Sequence, residues 1–350
     1  MKENTIILFL AFIVFSCKNV PVSKSDYFES VTTELLLKDD FSVRAISIDN
    51  KRIWYAANNG KFGFYDLDKK ESFQKVIKKD SLLPEFRSIA QNNHSIFVLS
   101  VGNPALLYKI SKENFEIKLV YQENNEKVFY DSMQFWNDKE GIAFGDPIDN
   151  CFSILKTTDS GETWHKIKCD QLPKIISGEG GFAASNTNII VKENKTWIVS
   201  GGKSSRLFYS SNKGKTWEVH NTPIVQGDEM TGIFSADFYD ENIGFAVGGN
   251  YAVPENKSAN KALTIDGGKT WKLMAENSGF GYASCVQFVP NSKGKGLVTV
   301  GFSGLQYSSD GGETWKQLST EKDFHTIRFL DNSTAIAAGK NKIVKVFFKK

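Results

Sequence analysis

Residues 308–315 read Ser-Ser-Asp-Gly-Gly-Glu-Thr-Trp, and the chain repeats this eight-residue pattern, which indicates its fold class. The same pattern has a hydroxyl residue first, Asp or Asn third, Gly fifth and Thr-Trp last. It recurs at residues 157–164, 210–217 and 264–271, so the intervals between the copies are similar. Self-similarity at such a period is typical of solenoids and propellers.

Each copy has the composition of a tight turn between two strands. The Asp or Asn side chain at the third position can accept backbone N–H groups of its own turn. Glycine at the fifth position adopts a positive φ without steric cost. The indole can then pack between neighbouring sheets. Eight residues are predicted on this basis to have a structural role: Asp159, Trp164, Asn212, Trp217, Asp266, Trp271, Asp310 and Trp315.

Further strands surround each turn. An apolar strand ending in glycine precedes it, as at residues 141–145 and 297–301, and an alternating strand such as 132–136 comes earlier. Four strands per unit are typical of a propeller blade. Weaker copies at 53–76 and 96–120, and an incomplete last unit, bring the predicted total to seven blades. A strand at residues 27–36 is expected to complete the last blade and close the ring. The sequence therefore predicts an all-β, seven-bladed propeller over residues 27–350.

The amino-terminal residues have the pattern of an export signal. Within residues 1–16, Lys2 precedes the apolar run Ile6–Phe15, which is too short to span a bilayer as a mature helix. The run leads to Ser16-Cys17, similar to a bacterial lipoprotein cleavage site, although Phe15 is larger than usual there. We expect lipidation of Cys17, a linker over 17–26, and an envelope location facing the periplasm or the cell surface. A plain secretory signal is the alternative.

Export permits disulfides. Cys151 and Cys169 flank the turn at residues 157–164, and antiparallel pairing across that turn would place them opposite each other. A disulfide between them is one hypothesis, and two small unbonded apolar side chains are the other.

Composition and missing motifs exclude several functions. The 43 Lys and Arg residues nearly balance 40 Asp and Glu residues, and no basic block occurs, which disfavours a nucleic-acid partner. No Cys-x-x-Cys, His-Glu-x-x-His or Gly-x-Ser-x-Gly motif and no dinucleotide-binding glycine motif is present. We therefore expect no metal and no cofactor. We also expect a monomer that meets the membrane only through its lipid.

The four turns resemble Asp-boxes, the bacterial neuraminidase repeat. Residues 40–340 are similar to the exported bacterial propellers that resemble photosystem II stability/assembly factors. The phrases that carry this resemblance are residues 41–47, 86–89, 135–136, 141–147, 178–184 and 232–235. The resemblance implies a propeller that assists another protein, and Asp-boxes on the rim opposite the binding face.

Candidate binding residues follow from the register of the first strands. Aligning their apolar positions places Arg44, Arg87, Asp131 and His325 at equivalent positions of neighbouring blades, so they are expected to meet at one mouth of the channel. Guanidinium groups bind carboxylates in bidentate fashion, so an anion or sugar-acid site is indicated. Loops between strands supply five further candidates: Asp146, Glu179, Arg206, Asn250 and Tyr251.

Two functions compete. The favoured one is a non-enzymatic module that binds an acidic peptide, protein segment or glycan, as an assembly or stability factor. The alternative is a sialidase-like glycoside hydrolase, with Arg44, Arg87 and Arg206 on the substrate carboxylate. Its acid/base would be Asp131, Asp146 or Glu179, and its nucleophile Tyr251 or a carboxylate. The Phe/Tyr-Arg-Ile-Pro signature of sialidases is absent, since residues 43–46 read Val-Arg-Ala-Ile.

Overall fold

The structure, a computed structural model, describes residues 28–350. The predicted signal peptide, the linker, Cys17 and Tyr27 lie outside the described residues. Within them the chain forms 28 strands and one short 3₁₀ helix, Cys169–Gln171. The fold is all-β, as predicted.

The strands group into six sheets. The first contains β1 (Ser30–Asp49), β2 (Arg52–Ala57), β3 (Lys61–Asp66), β4 (Glu71–Val76), β27 (Phe324–Phe329) and β28 (Thr334–Lys349). The second contains β5 (Phe86–Gln91), β6 (Ser95–Ser100), β7 (Ala105–Ser111) and β8 (Ile117–Glu123). The third contains β9 (Tyr130–Phe135), β10 (Gly141–Gly145), β11 (Ser153–Thr157) and β12 (His165–Lys166).

The remaining three sheets follow along the chain. The fourth contains β14 (Ile189–Lys192), β15 (Lys195–Val199), β17 (Arg206–Ser210) and β18 (Glu218–Asn221). The fifth contains β13 (Glu179–Gly180), β16 (Gly201–Gly202), β19 (Thr231–Phe238), β20 (Gly244–Asn250), β21 (Lys261–Thr264) and β22 (Lys272–Leu273). The sixth contains β23 (Ala283–Phe288), β24 (Leu297–Gly301), β25 (Leu305–Ser308) and β26 (Lys316–Ser319).

The prediction of seven blades is wrong, because the described strands form six hydrogen-bonded sheets. The long strands β1 and β28 join the segments expected to form the first and last blades. The first part of β1 pairs with β28, from Ser30 opposite Lys349 to Lys38 opposite Lys342. Its second part pairs with β2, so the hydrogen bonding continues through one six-stranded sheet. Counted by its sheets, the propeller is six-bladed.

The inner strands contact one another in a ring around a central channel. Neighbours around the ring are β1, β5, β9, β14, β19, β23 and β27, and the first sheet supplies both β1 and β27. The apolar core lies between adjacent sheets. For example, Trp54 of the first sheet packs in one cluster with Ile96 of the second. Arg44 on β1 and Arg87 on β5 therefore lie on neighbouring strands.

The four Asp-box turns share one hydrogen-bond pattern. In the first, Asp159 Oδ1 accepts the N–H of Thr163 at 3.0 Å and Oδ2 accepts its hydroxyl at 2.6 Å. Asn212 makes the equivalent contacts with Thr216, using its amide nitrogen as the donor to the hydroxyl. Gly161 has φ +76°, and a Cβ there would lie 2.2 Å from the Phe97 ring. The Asp and Asn side chains at the third position therefore make these hydrogen bonds within their own turns.

Cys151 and Cys169 form a disulfide whose Cα atoms are 5.6 Å apart. It joins the end of the β10–β11 connection to the 3₁₀ helix that follows β12. Among the described residues Cys285 is the remaining cysteine, and its thiol is buried.

Residues 184–187, which we call the crossing segment, close the central channel. All four residues are buried. Their hydrogen bonds reach the inner strands on every side of the ring. These bonds are Arg44 Nη1 to Ala184 O (3.4 Å), Asn186 Nδ2 to Ile89 O (2.8 Å), Met133 N to Asn186 Oδ1 (3.1 Å), Thr187 Oγ1 to Ser235 Oγ (2.7 Å), Ser185 Oγ to Ser284 O (2.6 Å) and Arg328 Nη2 to Ser185 O (3.0 Å). The segment separates a cavity at each end of the channel.

The Asp-box hydrogen bonds predict a graded effect on stability. Replacing Asp310 by Ala removes the acceptor of the Thr314 N–H and hydroxyl groups. The free energy of unfolding measured by urea denaturation should therefore fall by about 1–2 kcal/mol. Asp310→Asn is the matched control, since Asn212 makes the same contacts in its own turn. We expect it to lose less than half as much. Equal losses in the two variants would contradict a purely structural role for the turn.

Candidate functional site

A cavity of about 660 Å³ opens at the end of the channel where the inner strands begin. Its walls come from the second half of β1, from the start of β5 and from connections between the second and third strands of several sheets. The Gly-rich residues 178–184 form its floor. The Asp-box turns do not line it. The predicted convergence of strand starts therefore produces a closed-ended cavity.

Arg44, Arg87 and the exposed Lys127 supply the positive charge of this cavity. Arg87 pairs with Glu85, with Arg87 Nε 2.7 Å from Glu85 Oε1. Arg44 donates to Ala184 O at a long 3.4 Å, and no salt bridge to it occurs among residues 28–350. Burial, followed by repulsion from Arg87, lowers the pKa of Arg44 from its ordinary value. A half-buried guanidinium next to a second one is a site that an incoming anion would stabilise.

Two carboxyl groups lie against the floor, Asp131 beneath it and Asp146 at the cavity surface. Asp131 on β9 is completely buried, and neither of its oxygens has a hydrogen-bond partner in the described part of the chain. Burial and then repulsion from Asp146 raise the pKa of Asp131 well above its usual range, while Arg87 opposes the shift. Asp146 accepts the N–H of Gly181 at 2.6 Å, and burial raises its pKa to about 6 despite that bond. Burial thus favours the protonated form of Asp131, and Asp146 has a pKa of about 6.

Glycine at position 181 lets the floor pass close over these carboxyl groups. A Cβ there would lie 2.4 Å from Asp131 Oδ2 and 2.6 Å from the Phe144 ring. Asp131 is consequently covered by the floor, whereas Asp146 lines the cavity. Both residues are acid/base candidates in the sequence analysis, but Asp146 faces the cavity and Asp131 does not.

Arg206 and Glu179 are engaged with each other. Arg206 Nε is 3.0 Å from Glu179 Oε1, and Nη2 bonds to the other carboxylate oxygen. Glu179 is buried and also accepts from Ser200 Oγ and Ile176 N. The structure therefore brings Arg44 and Arg87 together in the cavity, whereas Arg206 of the fourth sheet pairs with Glu179 of the fifth and does not line it.

The three other predicted residues differ in whether they line the cavity. Tyr251 lines the cavity, but the Asn250 side chain caps its own turn by accepting the N–H groups of Ala252 and Val253. His325 on β27 is half-buried close to both arginines. Burial, then Arg44 and Arg87, lowers its pKa to about 3. The imidazole is therefore neutral at physiological pH.

On the apolar side of the cavity, the sequence analysis named Tyr251 and missed Phe182, Phe234 and Tyr282. Phe182, Phe234, Tyr251 and Tyr282 form what we call the aromatic wall. Phe182 and Phe234 fall within the phrases 178–184 and 232–235 that carry the family resemblance, so their position was a usable signal. Tyr282 stands outside any such phrase.

Other site types find no support within residues 28–350. No group of three or more His, Cys, Asp or Glu side chains there could hold a metal ion. Nor does that range contain a helix with the length and apolar character needed to cross a membrane.

Comparisons with known proteins agree with the geometry. The BNR/Asp-box repeat family matches residues 306–317. A comparison with curated proteins finds no significant match. Among solved structures, YCF48 bound to D1 peptide is similar with TM-score 0.66 and 15% identity, over 92% of this chain and 96% of that one.

Two other structures share the architecture. YCF48 from Cyanidioschyzon merolae has TM-score 0.63 and 11% identity, with coverage of 91% and 99%. The WD40 β-propeller domain of Doa1 has TM-score 0.61 and 12% identity, with coverage of 93% and 98%. At these identities the likeness concerns the fold. The chain is thus a β-propeller with an Asp-box repeat and with the architecture of the YCF48 structures.

Proposed function

We propose that this protein binds a peptide segment of another protein through a carboxylate held by Arg44 and Arg87, and that it acts as an assembly or stability factor. The observation that carries the proposal is Arg44, a half-buried guanidinium without a carboxylate partner in the described chain. The cavity is closed at its floor and lies within the range of ~300–1,000 Å³ that is usual for ligand sites. It would therefore hold a few residues of a chain.

The structural comparison supports the class of ligand. YCF48, a propeller of the same architecture, has been solved with a D1 peptide.

The hydrolase hypothesis receives less support from the site. Two of its proposed groups, Arg206 and Glu179, neutralise each other. A third, Asp131, is covered by the floor and cannot reach a substrate. Asp146 and Tyr251 both line the cavity and remain as the acid/base and the nucleophile of this hypothesis, but with two arginines in place of the three that it requires.

We further propose that the protein is exported and anchored to the bacterial envelope by a lipid on Cys17. The Cys151–Cys169 disulfide supports export, since such bonds persist in oxidising compartments.

Binding should depend on Arg44. With fluorescein-labelled Gly-Ser-Leu-Gly-Asp, Arg44→Gln should weaken binding about tenfold or more in fluorescence anisotropy, because a charge-assisted contact is lost. The matched control is Arg52→Gln, whose guanidinium pairs with Asp66 on the same sheet away from the cavity. Equal affinity of an amidated Asn-ended copy of the peptide would contradict carboxylate recognition.

Affinity should also depend on pH. Asp146 loses its negative charge as the pH falls through about 6, while the arginines stay charged and His325, with a pKa of about 3, stays neutral. Peptide affinity should therefore rise about three- to tenfold from pH 7.5 to pH 5, where the ligand carboxylates are still largely ionised. Asp146→Asn should bind at pH 7.5 as the parent does at pH 5. A pH dependence that survives in this variant would refute the assignment.

Anchoring can be followed by metabolic labelling with palmitate in a bacterial host. The parent chain should be labelled and membrane-bound, and Cys17→Ser should lose both properties. Cys285→Ser, which alters a buried thiol, should keep them. An unlabelled parent chain would favour the plain secretory signal.

A further inference from the structure

The aromatic wall is a continuous stack of rings beside the arginines. Phe182 and Phe234 are parallel, with ring centroids 3.7 Å apart. Tyr282 contacts Phe234 edge-on at 4.8 Å, and Tyr251 contacts Tyr282 edge-on at 5.1 Å. Four separate segments of the chain supply these rings, so the wall is a product of the whole fold.

Backbone hydrogen bonds hold the wall in place. Tyr251 N donates to Met230 O at 2.9 Å, and Tyr282 N donates to Pro254 O at 2.7 Å. Behind Phe182 stands Gly201, where a Cβ would lie 2.4 Å from the ring. A preformed surface of this kind costs little ordering entropy when a ligand binds.

The wall leaves apolar surface open at the cavity mouth. Phe234 and Tyr282 are buried, but Tyr251 is 49% exposed and Met230, beside it, is 42% exposed. An open aromatic ring and a flexible thioether next to each other are typical of surfaces that bind apolar side chains.

The apolar surface and the positive charge belong to one cavity. Arg44 and the four rings of the aromatic wall line the same cavity. A ligand whose carboxylate contacts Arg44 therefore lies beside the wall.

We infer that the aromatic wall binds a Leu, Met or Phe side chain located one to three residues from the carboxylate, so that the ligand is an acidic peptide with an apolar residue close to its charge. This inference rests on the proposed function. It adds the identity of the second recognition element, with Tyr251 and Met230 as the residues that determine specificity.

The test compares three labelled peptides, Gly-Ser-Xaa-Gly-Asp with Xaa as Leu, Phe or Ser. Burial of a large apolar side chain should make the Leu and Phe peptides bind about tenfold or more tighter than the Ser peptide. In Tyr251→Ser and Met230→Ser the preference should fall below about threefold, with the Ser peptide bound nearly as in the parent chain. Ile265→Ser, an exposed apolar residue in an Asp-box turn, is the matched control and should keep the preference.

The outcomes separate the two claims. Equal binding of all three peptides, still lost on amidation, would overturn the inference and leave the proposed function standing. Binding that ignores the carboxylate would refute the proposed function itself. Concentration-dependent dimerisation of the free chain that Tyr251→Ser abolishes would assign the wall to a second copy of this chain and overturn the inference.

Discussion

Residues 184–187 cross the channel fully buried, so every polar group that they carry must find a partner inside the ring. They find those partners on inner strands that the chain forms both before and after them. A single short segment thereby ties together strands that are distant in sequence. An unsatisfied buried donor or acceptor costs about 1–3 kcal/mol, which favours one arrangement of the ring over others.

The same segment determines the chemistry of the cavity. It closes the floor, and its carbonyl at Ala184 receives the long hydrogen bond from Arg44. The preceding Gly-rich residues cover Asp131, so this acid is removed from solvent and from any ligand. The charged side chains that line the cavity are Arg44, Arg87, Lys127, Asp146, Glu179 and Glu229, of which Glu179 is paired with Arg206. Arg44 has no carboxylate partner among residues 28–350, which favours binding of an anion there.

Local patterns and the pairing of the first strand with the last blade were predictable, and pairings between loops were not. The Asp-box turns could be read from eight residues because their hydrogen bonds stay within those residues. Strand register likewise placed Arg44 and Arg87 together. The first strand was expected to complete the last blade, and β1 pairs with β28, but its unbroken continuation into the pairing with β2 was not expected. The Glu179–Arg206 pair and the aromatic wall also depend on contacts between separate loops, for which the sequence offers no spacing rule.

A crystal structure of the protein with a bound acidic peptide would show which groups hold the ligand carboxylate. We expect carboxylate oxygens within hydrogen-bond distance of the Arg44 guanidinium, about 2.7–2.9 Å, and a crossing segment with its hydrogen bonds intact. A peptide bound on the outer faces of the sheets, or one that displaces residues 184–187 and threads the channel, would contradict this expectation.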